Sequence, residues 1–161
     1  MNNSERLVVI TGGTKGIGKA IVERFAADGF PIATCARNEH DLSVLREEIS
    51  KEYDQIIHTY AVDLSTKPGA KDFIEFIRLI GQPVEVLINN TGVFIPGLVH
   101  EEEDGALEQM MNTNLYSAYH VTRGIVPQMK KVRSGHIFNL CSVASLHAYP
   151  NGGSYSISKF A

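Results

Sequence analysis

Short apolar runs alternate with longer amphipathic segments along this chain, and no other feature limits its possible folds as strongly. Five runs are rich in β-branched and other apolar side chains, at residues 7–11, 31–36, 56–62, 84–89 and 136–141. Helical patterns lie between them at 16–29, 39–53 and 68–81, and from about 102 to 131. Short strands that alternate with helices indicate successive βαβ units. The sequence therefore predicts an α/β fold, a Rossmann-type doubly wound parallel sheet with helices on both faces.

One domain over residues 1–161 is predicted, because no repeat, low-complexity tract or linker divides the chain. A six-stranded dinucleotide-binding sheet is built from two βαβαβ halves, whereas the pattern here accounts for five strands. The last helical segment, 154–161, is too short to form a stable helix unaided. We therefore expect this chain to be a piece of a longer protein, with the C-terminal part missing.

Composition and charge exclude several classes of function. The 15 basic and 18 acidic residues are scattered and give a net charge of −3, which argues against a nucleic-acid partner. No apolar run approaches the roughly 20 residues that span a bilayer, so we expect no membrane partner. The six histidines are dispersed without the spacing of a metal site, and no metal is expected. Cys35 and Cys141 lie in apolar stretches without a CxxC pattern, which predicts buried free thiols and a cytoplasmic location.

A glycine-rich turn, TGGTKGIG at residues 11–18, follows the first predicted strand and opens the first helix. Glycine permits positive φ and lets the backbone approach a ligand closely, and a helix N-terminus offers free N–H groups to a pyrophosphate. The spacing GxxxGxG differs from the GxGxxG fingerprint, but its place at the first strand–helix junction favours dinucleotide binding. The residues predicted to bind the cofactor here are Gly12, Thr14, Lys15, Gly16, Ile17 and Gly18.

The end of the second strand indicates which dinucleotide is bound. NAD sites commonly carry an acid about 20 residues past the glycine motif, whereas an arginine there accommodates a 2′-phosphate. Arg37 stands at this position, and Lys15 is predicted to add a second positive charge. Glu39 is predicted to cap the next helix instead of binding a ribose. These residues predict NADP(H) as the cofactor.

Polar residues also follow the next three strands. Asp63 is a candidate acceptor for the adenine amino group, and Asn89 and Asn90 are candidates for bracing the loops. Ser142 follows the fifth strand. Because ligands in open α/β sheets bind outside the carboxyl ends of the strands, we expect these residues at the same edge as the glycine turn.

Four consecutive acids, Glu101 to Asp104, precede the apolar pattern of the long helical segment. Acidic side chains complement the positive end of a helix dipole. These acids are therefore predicted to form the first turn of that helix.

Tyr155 and Lys159 are four residues apart, which places them on one helical face about a turn apart. An ammonium close to a phenol stabilises the phenolate, so the pair is a candidate acid–base unit. The spacing alone favours two side chains on a solvated helix face.

Together these motifs resemble the short-chain dehydrogenase/reductase family over essentially the whole chain. The matching elements are TGGTKGIG, Asp63, NNTG at 89–92, Asn114, Ser142 and YSISK at 155–159. The family usually has alanine where this chain has Thr91. The resemblance adds Asn90, Gly92, Tyr155 and Lys159 to the residues expected to bind the cofactor, beside Arg37 and Asp63.

The resemblance also implies a catalytic set, Asn114, Ser142, Tyr155 and Lys159. Tyr155 would exchange a proton with the substrate oxygen while hydride passes between the nicotinamide and the carbonyl carbon. Lys159 would bind the nicotinamide ribose, and Ser142 would donate a hydrogen bond to the substrate oxygen. Asn114 would hold a water that links Lys159 to solvent, and it also fits a brace at a helix irregularity.

Three functions stay open at this point. The first is an NADPH-dependent reductase of a ketone or aldehyde, with a 3-oxoacyl thioester, a sepiapterin-like pteridine ketone, a steroid or a sugar ketone as substrate. The second is a non-catalytic NADP(H)-binding sensor or scaffold, and the third is a sugar-nucleotide epimerase or dehydratase. The complete catalytic set favours the first. The long helix of the family commonly packs between subunits, so the resemblance implies a homodimer or homotetramer.

Overall fold

The structure is a computed structural model, and it describes residues 5–161. Its strands are β1 (Leu7–Thr11), β2 (Ile32–Ala36), β3 (Ile57–Ala61), β4 (Val84–Asn89) and β5 (His136–Asn139). Its helices are α1 (Gly16–Ala27), α2 (Glu39–Tyr53), α3 (Lys67–Ile80), α4 (Ala106–Met111), α5 (Ser117–Val132) and α6 (Gly153–Phe160). A π-helical turn, Asn112–Tyr116, joins α4 to α5, and a 3₁₀ turn, Val143–Ser145, lies between β5 and α6.

The five strands form one parallel sheet in the order β3-β2-β1-β4-β5. This order confirms the predicted doubly wound sheet. The chain moves outward from β1 in one direction through β2 and β3, and it then returns to the other side of β1 for β4 and β5. Ligands of open α/β sheets bind at such a reversal of strand order, outside the carboxyl ends of the strands.

Two hydrophobic cores cover the two faces of the sheet, and β1 contributes to both. Successive side chains in a strand point to opposite faces. Leu7 and Val9 therefore belong to the core that contains Phe73 of α3 and Ile125 of α5. Val8 belongs to the core on the other face. That second core also contains Ile10, Val22 and Ala26 of α1, and Leu45 and Ile49 of α2.

The N-terminus of α2 is capped by Asn38 and not by Glu39, so the predicted cap was wrong by one residue. The side-chain oxygen of Asn38 accepts hydrogen bonds from the backbone N–H of His40 at 2.8 Å and of Asp41 at 3.2 Å. Asparagine is a preferred N-cap residue because its short side chain reaches these N–H groups. Glu39 lies in the first turn, where its charge complements the helix dipole.

The long helix begins later than predicted. α4 starts at Ala106 behind Gly105, which has a φ of 91°. Residues 101–104 therefore precede the helix, and the prediction that these acids form its first turn was wrong. A π-helical turn also interrupts the segment between α4 and α5.

β5 is exposed along its whole length, and within residues 5–161 it pairs only with β4. It ends at Asn139, two residues before the predicted end at 141. Cys141 is consequently exposed, which corrects the prediction of a buried thiol, whereas Cys35 is buried in β2 as predicted. Across residues 5–161, none of the helices combines the length and the apolar character needed to cross a membrane.

Candidate active site

The glycine turn after β1 leaves the N-terminus of α1 open. Gly16 has a φ of 55°, which L side chains rarely adopt, and a Cβ there would meet no atom within 4 Å. Lys15 is the N-cap residue of α1, but its side chain makes no capping hydrogen bond, and the first turn contains no acid. The first N–H groups of α1 therefore lack a side-chain acceptor, which is the condition under which a helix N-terminus binds an anion.

Asn90 braces this turn from the end of β4. Its side-chain amide donates hydrogen bonds to the carbonyl oxygens of Thr11 at 3.0 Å and Gly12 at 2.9 Å. A Cβ at Gly18 would collide with this amide and with the Gly12 carbonyl, so only glycine allows α1 to pack this closely. Asn89 also acts as a brace, since its amide donates to the side chain of Thr122 at 2.9 Å and to a neighbouring side chain of β5.

A cleft of about 590 Å³ lies at the carboxyl ends of β1 to β4. The predicted cofactor residues that line it are Gly12, Thr14, Lys15, Ile17, Arg37, Asp63, Asn90 and Gly92. Gly16 and Gly18 belong to the turn beside the cleft without forming its wall. Thr91 of the NNTG motif also lines it, whereas the sequence analysis did not predict the other polar wall residues, which are Asn38, Asp41, Gln109 and Thr113.

The charged residues of the cleft wall differ in how they are paired. Arg37 is exposed and has no ion-pair partner among residues 5–161. Lys15 forms an ion pair with Asp41, with 2.7 Å between Nζ and Oδ2. Asp63 accepts a hydrogen bond from the backbone N–H of Ser65 at 2.9 Å, so its carboxylate is held at the rim of the cleft. Arg37 is thus a cation of this wall whose charge is available to bind an anion.

Tyr155 and Lys159 both lie on α6. The Nζ of Lys159 is 5.9 Å from the centroid of the Tyr155 ring and donates a hydrogen bond to the carbonyl oxygen of Leu140 at 3.0 Å. A Cβ at Gly92 would be 3.9 Å from the same Nζ, so Lys159 lies beside the cleft wall. The Tyr155 ring makes an edge contact with Phe94, with 4.7 Å between centroids. Sequence reasoning missed both Phe94 and Leu140, because neither carries a polar signal.

Ser142 is the N-cap residue of the 3₁₀ turn between β5 and α6. Its Oγ accepts a hydrogen bond from the Ala144 N–H at 3.2 Å, and its own N–H donates to the Ser145 Oγ at 3.3 Å. This turn packs against α6. The hydroxyl proton of Ser142 is not donated to another described group, so it remains available to a ligand.

Asn114 lies in the π-helical turn, as expected for a residue at a helix irregularity. Its side chain accepts from the Val93 N–H at 2.7 Å and donates to the Val93 carbonyl at 2.9 Å. The same amide donates to the Ser158 Oγ at 2.9 Å. Asn114 therefore ties the loop after β4 to α6 one residue before Lys159. π-helical turns are frequent at functional sites, where they redirect a side chain.

Glu102 is a further site residue that sequence reasoning missed. Its carboxylate accepts a hydrogen bond from the Ser154 N–H at 2.7 Å and a second one from the Ser154 hydroxyl. These bonds lower the pKa of Glu102, the side-chain bond more than the backbone bond. The carboxylate thus binds the first turn of α6, just before Tyr155.

Comparison with known proteins identifies relatives along almost the whole chain. A tropinone reductase homolog of Arabidopsis thaliana is 36% identical over 159 residues, which cover 97% of this chain and 59% of the relative. The 3beta-hydroxysteroid dehydrogenase 2 of Eggerthella lenta is 34% identical over 156 residues, which cover 95% and 59%. The chain therefore spans less than two thirds of the length of these two relatives.

Solved structures show the same architecture. The L-sorbose reductase of Gluconobacter frateurii, complexed with NADPH and L-sorbose, superposes with a TM-score of 0.93 at 26% identity, covering 99% of this chain and 60% of that one. An alcohol dehydrogenase of the archaeon Thermococcus sibiricus, complexed with 5-hydroxy-NADP, gives 0.92 at 25% identity, covering 97% and 66%. The family model described as short chain dehydrogenase matches residues 6–161. This chain therefore belongs to the short chain dehydrogenase family of oxidoreductases.

Proposed function

We propose that the full-length protein is an NADPH-dependent oxidoreductase that reduces a ketone or aldehyde to an alcohol, with Tyr155 as the proton donor. The observation that carries this proposal is the position of α6. This helix brings Lys159 to the carbonyl oxygen of Leu140 and beside the cleft wall at Gly92, and it carries Tyr155 one turn before Lys159. A cation thus lies beside the cleft, and the proposed proton donor lies on the same helix with its ring centroid 5.9 Å from that cation.

The cleft fits an NADP(H) molecule in three respects. The uncapped N-terminus of α1 would receive the pyrophosphate. Arg37, exposed and without an ion-pair partner in the described part of the chain, would bind the 2′-phosphate with its planar fork of donors. Asp63 offers a carboxylate to the adenine amino group from the rim. Arg37 takes the position at which an acid would bind a ribose hydroxyl in an NAD site, which supports NADP(H) as the cofactor.

The side chains around α6 can carry out the proton chemistry. When bound, the reduced dinucleotide supplies the hydride for the carbonyl carbon. Tyr155 would donate its hydroxyl proton to the carbonyl oxygen, and the positive charge of Lys159 would stabilise the phenolate that remains. Ser142 would donate its free hydroxyl proton to the same oxygen and stabilise its developing negative charge. Asn114 would fix the position of α6 relative to the loop that follows β4, so that Tyr155 is placed for this transfer.

The names of the relatives support a carbonyl substrate without defining it. They include a tropinone reductase homolog, a hydroxysteroid dehydrogenase and an L-sorbose reductase. We therefore keep 3-oxoacyl thioesters, pteridine side-chain ketones, steroid ketones and sugar ketones as the substrate panel. We also propose that residues 1–161 form one NADP(H)-binding domain of the longer protein.

The test uses the full-length protein. NADPH oxidation is followed with the panel of carbonyl compounds, and NADPH binding is measured separately by fluorescence titration. Tyr155→Phe should bind NADPH like the wild type and lose about 10²- to 10⁴-fold in kcat, because it removes the proton donor. Tyr53→Phe is the matched control, since Tyr53 ends α2 at the opposite edge of the sheet.

Two outcomes would contradict the proposal. An unchanged kcat in Tyr155→Phe would exclude this residue as the proton donor. Tight NADPH binding by the wild type without turnover of any carbonyl compound would favour the non-catalytic sensor.

A homodimer or homotetramer is a further proposal. Tyr116 and Tyr119, at the junction of the π-helical turn and α5, are 46% and 51% exposed, and both rings contact the ring of His120, so they form one exposed aromatic surface. We propose that this surface packs against a second subunit. Light scattering measures the mass of the full-length protein, and Tyr119→Glu should reduce this mass by disrupting the contact between subunits. A monomeric wild type would contradict the proposed oligomer.

A further inference from the structure

The helix that carries Tyr155 and Lys159 is held at its N-terminus by a residue from a distant loop. Glu102 lies 52 residues before Ser154, in the loop between β4 and α4. One carboxylate oxygen accepts from the Ser154 backbone N–H at 2.7 Å, and the other accepts from the Ser154 hydroxyl. Hydrogen bonds to an ionised acceptor are stronger than those between neutral groups.

α6 lacks the local features that usually stabilise the start of a helix. It has eight residues, and helices of this length are marginal in water without tertiary support. Its N-cap residue is Gly152, which has no side chain to accept a hydrogen bond, and its first turn contains no acid. Glu102 supplies both missing features, an acceptor for a free N–H group and a negative charge at the positive end of the helix dipole.

Two glycines make room for this contact. A Cβ at Gly153 would collide with the Glu102 carboxylate, and a Cβ at Gly97 would come within 2.8 Å of the Glu102 Cγ. The Gly97 N–H also donates to the carbonyl of Asn151 at 3.1 Å. The loop after β4 and the segment before α6 therefore meet over a stretch of backbone, with the carboxylate between them.

The same loop also touches Tyr155. Phe94 makes an edge contact with the Tyr155 ring, with 4.7 Å between centroids and 63° between ring planes. Tyr155 follows Ser154 directly, so a shift of the first turn of α6 would move the tyrosine and change this ring contact. The loop thus acts on Tyr155 at two points, through the Glu102 anchor and through Phe94.

We propose that Glu102 is a positioning residue that fixes α6 so that Tyr155 and Lys159 meet the substrate in the reactive arrangement. Glu102 itself does not touch the reacting atoms. This inference rests on the proposed function, because it assigns Glu102 to the same proton transfer. The hydrogen bonds from Ser154 lower the pKa of Glu102, because they stabilise its charged form, and this agrees with the anchor.

The experiment compares four single variants and one double variant, Glu102→Ala with Ser154→Ala, of the full-length protein. Glu102→Ala removes the anchor, Glu102→Gln keeps an oxygen that can accept from the Ser154 N–H, and Ser154→Ala removes the hydroxyl partner. Glu103→Gln is the matched control, because Glu103 is the exposed neighbouring acid and Ser154 bonds to Glu102 instead. NADPH affinity, kcat and KM for a carbonyl substrate are measured for each variant, together with amide hydrogen exchange of residues 153–160.

The expected result is a selective loss of kcat. Glu102→Ala should lower kcat about 10- to 100-fold, because small displacements of reacting groups have effects of this size. Its NADPH affinity should fall much less than kcat, since the glycine turn and Arg37 lie on other elements and α6 contributes only Tyr155 and Lys159 to cofactor binding. Glu102→Gln should recover part of the loss. The double variant Glu102→Ala/Ser154→Ala should have a kcat no lower than that of Glu102→Ala alone, because both changes remove the same contact between Glu102 and Ser154.

Other results would overturn the inference. A wild-type kcat in Glu102→Ala would exclude a positioning role, and a parallel loss of NADPH affinity would indicate general destabilisation instead. Exchange in residues 153–160 must rise in Glu102→Ala and not in Glu103→Gln, otherwise Glu102 does not anchor α6. This exchange measurement needs no turnover. It therefore tests the anchor even if the wild type reduces no carbonyl compound, in which case the proposed function fails separately.

Discussion

Arg37 offers the sharpest test of cofactor choice, because it can be removed without breaking an existing ion pair. The residue follows β2, lines the cleft and has no ion-pair partner within residues 5–161. Replacing Arg37 with glutamine keeps a polar side chain and removes the positive charge. We expect NADPH binding to weaken strongly and NADH binding to stay nearly unchanged, since only NADPH carries the 2′-phosphate.

The size of the effect follows from the exposure and pairing of the two cations. A hydrogen bond to a charged group contributes about 1.5–3 kcal/mol, and we take this value once for the whole Arg37–phosphate contact because the exposed side chain is screened by solvent. The dissociation constant for NADPH should therefore rise about 10- to 150-fold. Lys15 should compensate only in part for the lost charge, since its Nζ is already 2.7 Å from the Asp41 carboxylate.

The assay is a fluorescence titration of the full-length protein with NADPH and with NADH. Arg24→Gln is the matched control, because it removes the same charge at the C-terminal end of α1, away from the cleft. The difference between Arg37→Gln and the wild type should also shrink at high ionic strength, as expected for a contact between exposed charges. Equal weakening of NADPH and NADH, or unchanged NADPH binding, would refute the assignment of Arg37 to the 2′-phosphate.

Three further predictions concern the cleft wall. Asp41→Asn should tighten NADPH binding about 1.5- to 5-fold, because it frees Lys15 from an exposed ion pair of roughly 0.2–1 kcal/mol; calorimetry measures this, and weaker binding would contradict it. Burial raises the pKa of Cys35 to about 12, so this thiol should resist iodoacetamide in the native protein and react after unfolding; fast native labelling in peptide maps would count against it. Asn90→Ala should reduce the free energy of unfolding by about 1–3 kcal/mol, because two carbonyls after β1 lose their donor; an unchanged urea midpoint would argue that these bonds contribute nothing.

The sheet and most of the cleft were predictable because their signals are local. The bounds of β1 and β4 equal the predicted ones, β2 begins one residue later than predicted, and β3 is one residue shorter at each end. A run of apolar residues that is buried on both faces is visible in any short window of sequence. Parallel strands then place their carboxyl ends at one edge, so residues as distant as Lys15 and Asn90 were expected at one site and line one cleft.

The contacts that were not predicted depend on tertiary structure. An acid that lies just before a helix is expected to complement the dipole of that helix. Nothing in the local sequence shows that Glu102 instead binds the N-terminus of α6 and not that of α4. The pairing of Lys15 with Asp41 likewise joins the glycine turn to a helix that begins more than 20 residues later. The extent of the π-helical turn was also hidden, although Asn114 suggested an irregularity. Such contacts depend on how distant segments pack together and not on the local propensity for secondary structure.

The contacts around α6 change how the proposed catalytic set should be interpreted. Asn114 ties Val93 to Ser158, and Glu102 ties the same loop to Ser154, so the two residues hold opposite ends of one eight-residue helix. Replacing Asn114 would therefore loosen α6 as well as remove any water that its side chain holds. Glu102→Ala loosens the helix but leaves the Asn114 amide in place. Only the part of the kcat loss in an Asn114 variant that exceeds the kcat loss in Glu102→Ala can therefore be assigned to proton relay.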